Sequence, residues 1–211
     1  MMFADRTDAG RRLGARLADR SDEDVVVLGL PRGGVVVAAQ VARHVGAPLD
    51  VILVRKLGLP GQPELAMGAI GEDGVRVLND DVLRLGHVSV EQLAEVEERE
   101  TAELTRRAGC YRQMTPRVPV EGRAVIVVDD GIATGSTARA ACWVARAHGA
   151  ARITVAVPVA PPDWVARIGA DADTFTCLAT PQPFFGVGGF YRDFRQVSDD
   201  EVIRSLTVAD G

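Results

Sequence analysis

Apolar positions along the chain fall into two rhythms. Over residues 5–20 they recur at helical spacing, with Ala9, Leu13 and Leu17 on one face among arginines and aspartates, which predicts an amphipathic helix. At residue 25 the rhythm changes. The run VVVLG, residues 25–29, is short, continuous and β-branched, as in a parallel strand covered on both faces. The turn LPRGG follows, then an apolar helix over about 35–45 that Gly46 ends, then a second strand, DVILV, at 50–54. A β-α-β unit of this kind implies parallel pairing through a right-handed crossover.

Residues 55–74 are rich in Gly and Pro and follow neither rhythm. Their first part reads as a mobile loop. Residues 65–70 and 75–78, flanking GEDG, read as a β-hairpin. Helical spacing returns over 89–112 with a thin stripe of Leu93, Val96 and Leu104. Ser89 and Gln92 fit a capping box, and Glu95/Arg99 and Glu103/Arg107 fit i,i+4 ion pairs. Such a helix either lies solvated across the domain or reaches toward a partner subunit. A third buried strand is predicted at 124–128, a helix at 136–148 stopped by Gly149, a strand at 153–157, a short helix at 161–168 and a strand at 173–178. An aromatic, irregular tail and a last helix at about 199–206 complete the chain. This order predicts the α/β class and a doubly wound, mostly parallel sheet. The expected organisation is a single domain over 1–211, with a loop, hairpin and long-helix insertion at 57–120 and a small hood or tail at 180–211.

Composition narrows the class of function. Hydrophobic residues make up 47% and charged residues 25%, which is globular usage and speaks against disorder. No apolar run approaches the roughly 20 residues of a membrane span. The first residues are polar and charged, so a cytoplasmic protein with no membrane partner is expected. Cys110, Cys142 and Cys177 have neither disulfide-framework nor metal-ligand spacing, and no residue is assigned as a metal ligand. A net charge of −5 counts against a nucleic-acid partner. Lys56 is the only lysine in a chain whose other cationic positions are arginine. A lone lysine suits a site that needs a compact point charge, although chance explains it about as well.

Candidate chemistry concentrates in VIVVDDGIATGST, residues 125–137. A hydrophobic strand delivers Asp129 and Asp130 to its carboxyl end, where open α/β sheets bind ligands. Ala133, Thr134, Gly135, Ser136 and Thr137 then turn into a helix. Small residues and hydroxyls at a helix start suit an anion, and adjacent acids need hydroxyl donors or a cation beside them. An ordinary capped turn would explain TGST alone, but not the strand, acid pair and turn in one register. In GLPRGG, Gly33 and Gly34 permit close backbone approach to an oxyanion and Arg32 can fork onto phosphate oxygens. Arg55 and Lys56 follow the second strand. In FFGVGGFYRDF, aromatic side chains, Tyr191 among them, either stack on a ligand or form a satellite core.

The 125–137 stretch resembles the phosphoribosyl pyrophosphate signature of type I phosphoribosyltransferases: hydrophobic strand, two acids, and a small-Thr-Gly-x-Thr/Ser turn. The chain is similar to bacterial members that share LPRGG, VRK-LG and DDG-ATG in this order. The resemblance implies that Asp129 and Asp130 hold the ribose hydroxyls, that 133–137 hold the 5′-phosphate, and that Arg32, Arg55 and Lys56 face the diphosphate. It implies Mg²⁺ bound with the donor, a small-molecule base as acceptor, a loop near 57–74 that closes over the site with Glu64 as a candidate acid, and a homo-oligomer, expected to be a dimer. Two departures stand out. Gly131 replaces the family's usual aliphatic residue, and Ala133 replaces the aspartate that handles the base proton in hypoxanthine-guanine enzymes. The implied activity is phosphoribosyl transfer with release of pyrophosphate. The alternatives left open are a non-catalytic module that senses the donor and another phosphate-dependent enzyme on the same scaffold.

Overall fold

The β-branched runs become the centre of a layered α/β structure. The computed structural model describes residues 2–20 and 24–207. Strands β1 (Val25–Gly29), β2 (Leu49–Val51), β6 (Ala124–Val128), β7 (Arg152–Val159) and β8 (Thr174–Ala179) form one parallel sheet in the order β2-β1-β6-β7-β8. Every residue of β1 is buried, because helices cover both faces. One face packs on α1 (Arg6–Leu17), α2 (Gly33–Val45) and α7 (Asp199–Thr207), the other on α5 (Ser136–Ala147) and α6 (Trp164–Ile168). The strand order reverses between β1 and β6, and LPRGG and DDGIATGST leave the sheet at their carboxyl ends, the switch point at which open α/β sheets form a ligand crevice.

The predicted strand over 50–54 is shorter than expected. Its ladder with β1 ends at Gly29↔Val51, and the chain leaves the sheet at Ile52 and Leu53. It continues as β3 (Val54–Leu59), which pairs antiparallel with β4 (Gln62–Gly71), and β4 pairs with β5 (Arg76–Leu78). The expected hairpin across GEDG is present as β4–β5. The expected mobile loop is instead the β3–β4 hairpin, turned at Pro60–Gly61. Its glycines mark close approach: a Cβ on Gly58 would lie 2.7 Å from the Pro63 carbonyl, at a register shift in the ladder.

The long predicted helix is α4 (Val90–Tyr111), which follows the short α3 (Asp80–Leu85) and carries the Ser89/Gln92 capping box. Of its two expected placements, the structure shows it lying across the molecule. Val96, Leu104 and Tyr111 are buried, and Arg55 and Arg76 on the small sheet pair with its Glu100 and Glu97. The Glu103/Arg107 pair forms at 2.7 Å, whereas Arg99 meets Glu100 instead of Glu95. Arg112, just past the helix, binds buried Asp50 at 2.6 Å and Glu72 at 2.7 Å, tying β2 to the end of β4. Among the described residues no helix is long and apolar enough to cross a membrane, and all three cysteines are free thiols.

Candidate active site

Asp129 and Asp130 follow directly on β6, both half-buried at its carboxyl end. Asp129 accepts from the Asp130 amide at 2.8 Å. Burial, with the Asp130 charge beside it, holds the Asp129 carboxyl well above the ordinary carboxylate range. Burial raises Asp130 as well, but there the Arg6 guanidinium, 2.7 Å away, pulls in the opposite direction. Two carboxylates this close favour a ligand that brings hydroxyl donors or positive charge.

The turn after the acids is pinned from behind and open in front. The Ile132 amide donates to the Val159 carbonyl, Arg167 donates to the Ala133 carbonyl at 2.8 Å, and Tyr191 donates its hydroxyl to the Asp130 carbonyl at 2.5 Å. Gly135 adopts φ 85°, the left-handed region that favours glycine, and no side chain caps the start of α5 there. Ala133, Thr134 and Thr137 are exposed, and the Thr134 and Ser136 hydroxyls lie 3.0 Å apart. The Ser136 amide has only a long contact, 3.5 Å, to the Thr134 hydroxyl; weakly engaged amides, adjacent hydroxyls and a helix N-terminus make an anion cradle.

Lys56 reaches this cradle from the small sheet. Its Nζ lies 3.2 Å from the Ser136 hydroxyl and 3.4 Å from the Glu64 carboxylate, which is exposed on β4. Arg55 does not join it. Successive strand residues face opposite sides, and Arg55 turns to α4, where its guanidinium meets Glu100 at 2.5 Å. The sequence-based expectation placed both cations at one site; the strand pleat separates them.

The LPRGG turn brings Arg32 to the start of α2, across a cis Pro31–Arg32 peptide bond. The Arg32 carbonyl accepts from the Val35 amide, and its side chain makes no hydrogen bond or ion pair among the described residues. Gly33 and Gly34 serve a closer contact than the expected oxyanion. A Cβ on Gly33 would lie 2.0 Å from Asp130 Oδ2, and one on Gly34 would lie 2.8 Å from Asp129 Cα. Their missing side chains let α2 begin against the acid pair.

Tyr191 sits beneath the site. It is buried, with only 6% of its surface exposed, and packs on Phe3 and Phe194. Most of the aromatic segment is a satellite core, with Phe184 stacked on Phe190 at 5.6 Å. Phe185 is 93% exposed. Gly131 has a local reason: a Cβ there would lie 2.5 Å from Val187, so the aromatic segment closes over the turn where the family's usual aliphatic residue would stand. The sequence reading missed Arg6 altogether. Its available signal was a basic side chain in the first turn of a helix, where the dipole disfavours positive charge unless an acid faces it.

A profile of the phosphoribosyl transferase domain family matches residues 5–193. Two curated Mycobacterium tuberculosis proteins, from strains CDC 1551 / Oshkosh and H37Rv and each provisionally named a phosphoribosyl transferase, are 59% identical over 208 residues. The match covers 99% of this chain and 47% of theirs, so the chain spans about half the length of the curated relatives it matches. The crystal structure of TT1426 from Thermus thermophilus is 46% identical, with a TM-score of 0.92 over 100% of both chains. A hypoxanthine-guanine phosphoribosyltransferase of Bacillus anthracis is 16% identical, with a TM-score of 0.51 over 92% of this chain and 93% of that one, a likeness of fold alone.

Proposed function

The chain belongs to the phosphoribosyl transferase domain family, and from that premise we propose that it transfers a 5-phosphoribosyl group from phosphoribosyl pyrophosphate to a nitrogenous acceptor, releasing pyrophosphate. One observation carries the reading: the acid pair ending β6 stands one turn before an uncapped helix start, and Lys56 reaches that same turn from a different sheet.

In this reaction the bond from the anomeric carbon to the diphosphate oxygen breaks, its electron pair leaves with the diphosphate, and an acceptor nitrogen lone pair forms the new bond. Asp129 and Asp130 accept hydrogen bonds from the ribose hydroxyls and lie near the positive charge that grows on the sugar. The amides and hydroxyls of 133–137 hold the 5′-phosphate. Arg32 stabilises the departing diphosphate, whereas Lys56, 3.2 Å from the Ser136 hydroxyl, adds its charge to the 5′-phosphate cradle and not to the diphosphate side where it was expected. The oxygen-rich donor is a suitable ligand for Mg²⁺, which would be held by the donor's own oxygens and would supply positive charge to offset that of the diphosphate. Asp129 and Asp130 are hard carboxylate donors and would be the residues to hold such an ion, a fit to its chemistry. Phe185, in place of Tyr191, is the aromatic available to stack on an acceptor.

A donor-sensing module without turnover is the second reading. It is favoured by Ala133, which supplies no proton-handling side chain at the mouth. Both readings require donor binding, measured by titration calorimetry with Mg²⁺ and phosphoribosyl pyrophosphate. Binding that Asp130→Asn with Thr134→Ala abolishes is the expected result; no binding by the wild-type protein sinks both. Pyrophosphate release with a panel of purine, pyrimidine and other bases then separates them. Release with any base excludes a pure sensor.

A further inference from the structure

Two segments far apart along the chain, residues 3–6 and 190–195, converge on Asp130. The Phe3 and Asp193 amides donate to the Phe190 and Ala4 carbonyls, and the Arg192 amide donates to Phe3, so the segment before α1 is laced to the segment before α7. Two groups on this laced unit grip the acid. Tyr191 holds its carbonyl, and Arg6 holds its carboxylate through Nε at 2.7 Å. Arg6 is itself fixed on two further sides. Its Nη1 donates to the Arg195 carbonyl at 2.8 Å, and its guanidinium carbon lies 3.9 Å above the Phe194 ring. Gly33 closes the socket, since a Cβ there would also lie 2.6 Å from Arg6 Nε.

The guanidinium is thus held by a carboxylate, a backbone carbonyl and an aromatic ring at once. It engages Oδ2 of Asp130, and no other side chain donates to this carboxylate among the described residues. Asp129 and Asp130 would place two negative charges side by side in a half-buried crevice; Arg6 offsets one of them. A charged donor held by a planar fork fixes orientation as well as charge.

We infer that Arg6 is a positioning residue for donor binding: it holds the Asp130 carboxylate in one orientation and balances its charge beside Asp129, leaving the second oxygen for a sugar hydroxyl. The inference rests on the donor-binding reading above, and it assigns a role to a residue that touches no substrate atom. It also gives the aromatic segment a function, because Phe194 and Tyr191 support the grip from below.

The test is titration of wild-type protein, Arg6→Gln, Arg6→Lys, Asp130→Asn and the Arg6→Gln/Asp130→Asn double variant with Mg²⁺ and phosphoribosyl pyrophosphate, with melting followed in parallel. Removing a charged hydrogen-bond partner weakens binding in Arg6→Gln by about a hundredfold. Arg6→Lys keeps the charge and recovers to within about tenfold of wild type. In the Asp130→Asn background Arg6→Gln costs nothing further, because Arg6 acts through that carboxylate. Wild-type affinity in Arg6→Gln overturns the inference, as does an equal loss in both backgrounds. Should Arg6→Gln melt below the assay temperature, Arg6→Lys decides: affinity near wild type supports the role, and a hundredfold loss in folded Arg6→Lys overturns it. Absence of binding by the wild-type protein is a different result. It removes the donor reading itself, and this inference with it.

Discussion

Asp129 shows how a single side chain sets stability against function. Its carboxyl is held above the ordinary range by burial and by the neighbouring Asp130 charge. The folded protein therefore binds that proton more tightly than the unfolded chain does. Below the ordinary carboxylate value of about 4 both states are protonated and there is no penalty. As pH rises through the raised folded value, the ionised pair costs stability in full. Asp129→Asn keeps an oxygen for the Asp130 amide and removes the repulsion. It is expected to raise the melting temperature at pH 8 by about 2–4 °C for each kcal/mol relieved, to have no such effect near pH 3, and to lose donor binding. Melting curves across pH check the first two points and calorimetry the third. A variant destabilised at pH 8 would show that the acid pair is already compensated in the free protein.

At the scale of elements, β3 separates two adjacent cations that a reading along the chain treats as one. Arg55 faces α4 and Glu100; Lys56 faces the turn before α5 and Ser136. The two substitutions should therefore fail in different ways. Arg55→Met is expected to cost about 1 kcal/mol, as a partly exposed pair does, and to leave donor affinity within a factor of about two. Lys56→Met is expected to leave melting nearly unchanged and to weaken donor binding about tenfold or more. Urea denaturation and calorimetry on the same preparations distinguish them, and equal effects on both readouts would contradict the assignment of faces. The alternation itself was available from the sequence. Which face met the site was not, because the Gly- and Pro-rich stretch hid the strand. Gly58 and Pro63 look like loop residues along the chain, yet in the fold they lie against each other across the β3–β4 ladder.

At the scale of the whole molecule, the small sheet, α4 and the parallel sheet are joined by a buried cluster around Arg112. Asp50 lies on β2 with a side chain only 3% exposed, and it accepts from Arg112, from the Val51 amide and from the Val118 amide. Arg112→Met leaves that carboxylate uncompensated. The expected cost is about 3–5 kcal/mol, which for a chain of this size lowers the melting temperature by roughly 10 °C. Adding Asp50→Asn should restore part of the loss, because the stranded charge is removed. Thermal and urea unfolding of the single and double variants test this. No recovery in the double variant would mean that Arg112 acts by packing alone.

The sequence alone determined what lies within a few residues of itself: the alternation of strands and helices, the capping box at Ser89, and the strand, acid pair and turn over 125–137. Such features are local, since hydrophobic period and turn chemistry are written into neighbouring residues. Tertiary structure decided the rest. Arg6 meets Asp130 across 124 positions, Tyr191 takes the satellite-core place of the two left open for it, and Gly33 and Gly131 are small because a remote atom occupies the space. These contacts exist only after elements with no common period have packed, and a pairing between distant residues leaves no trace in the spacing of either one.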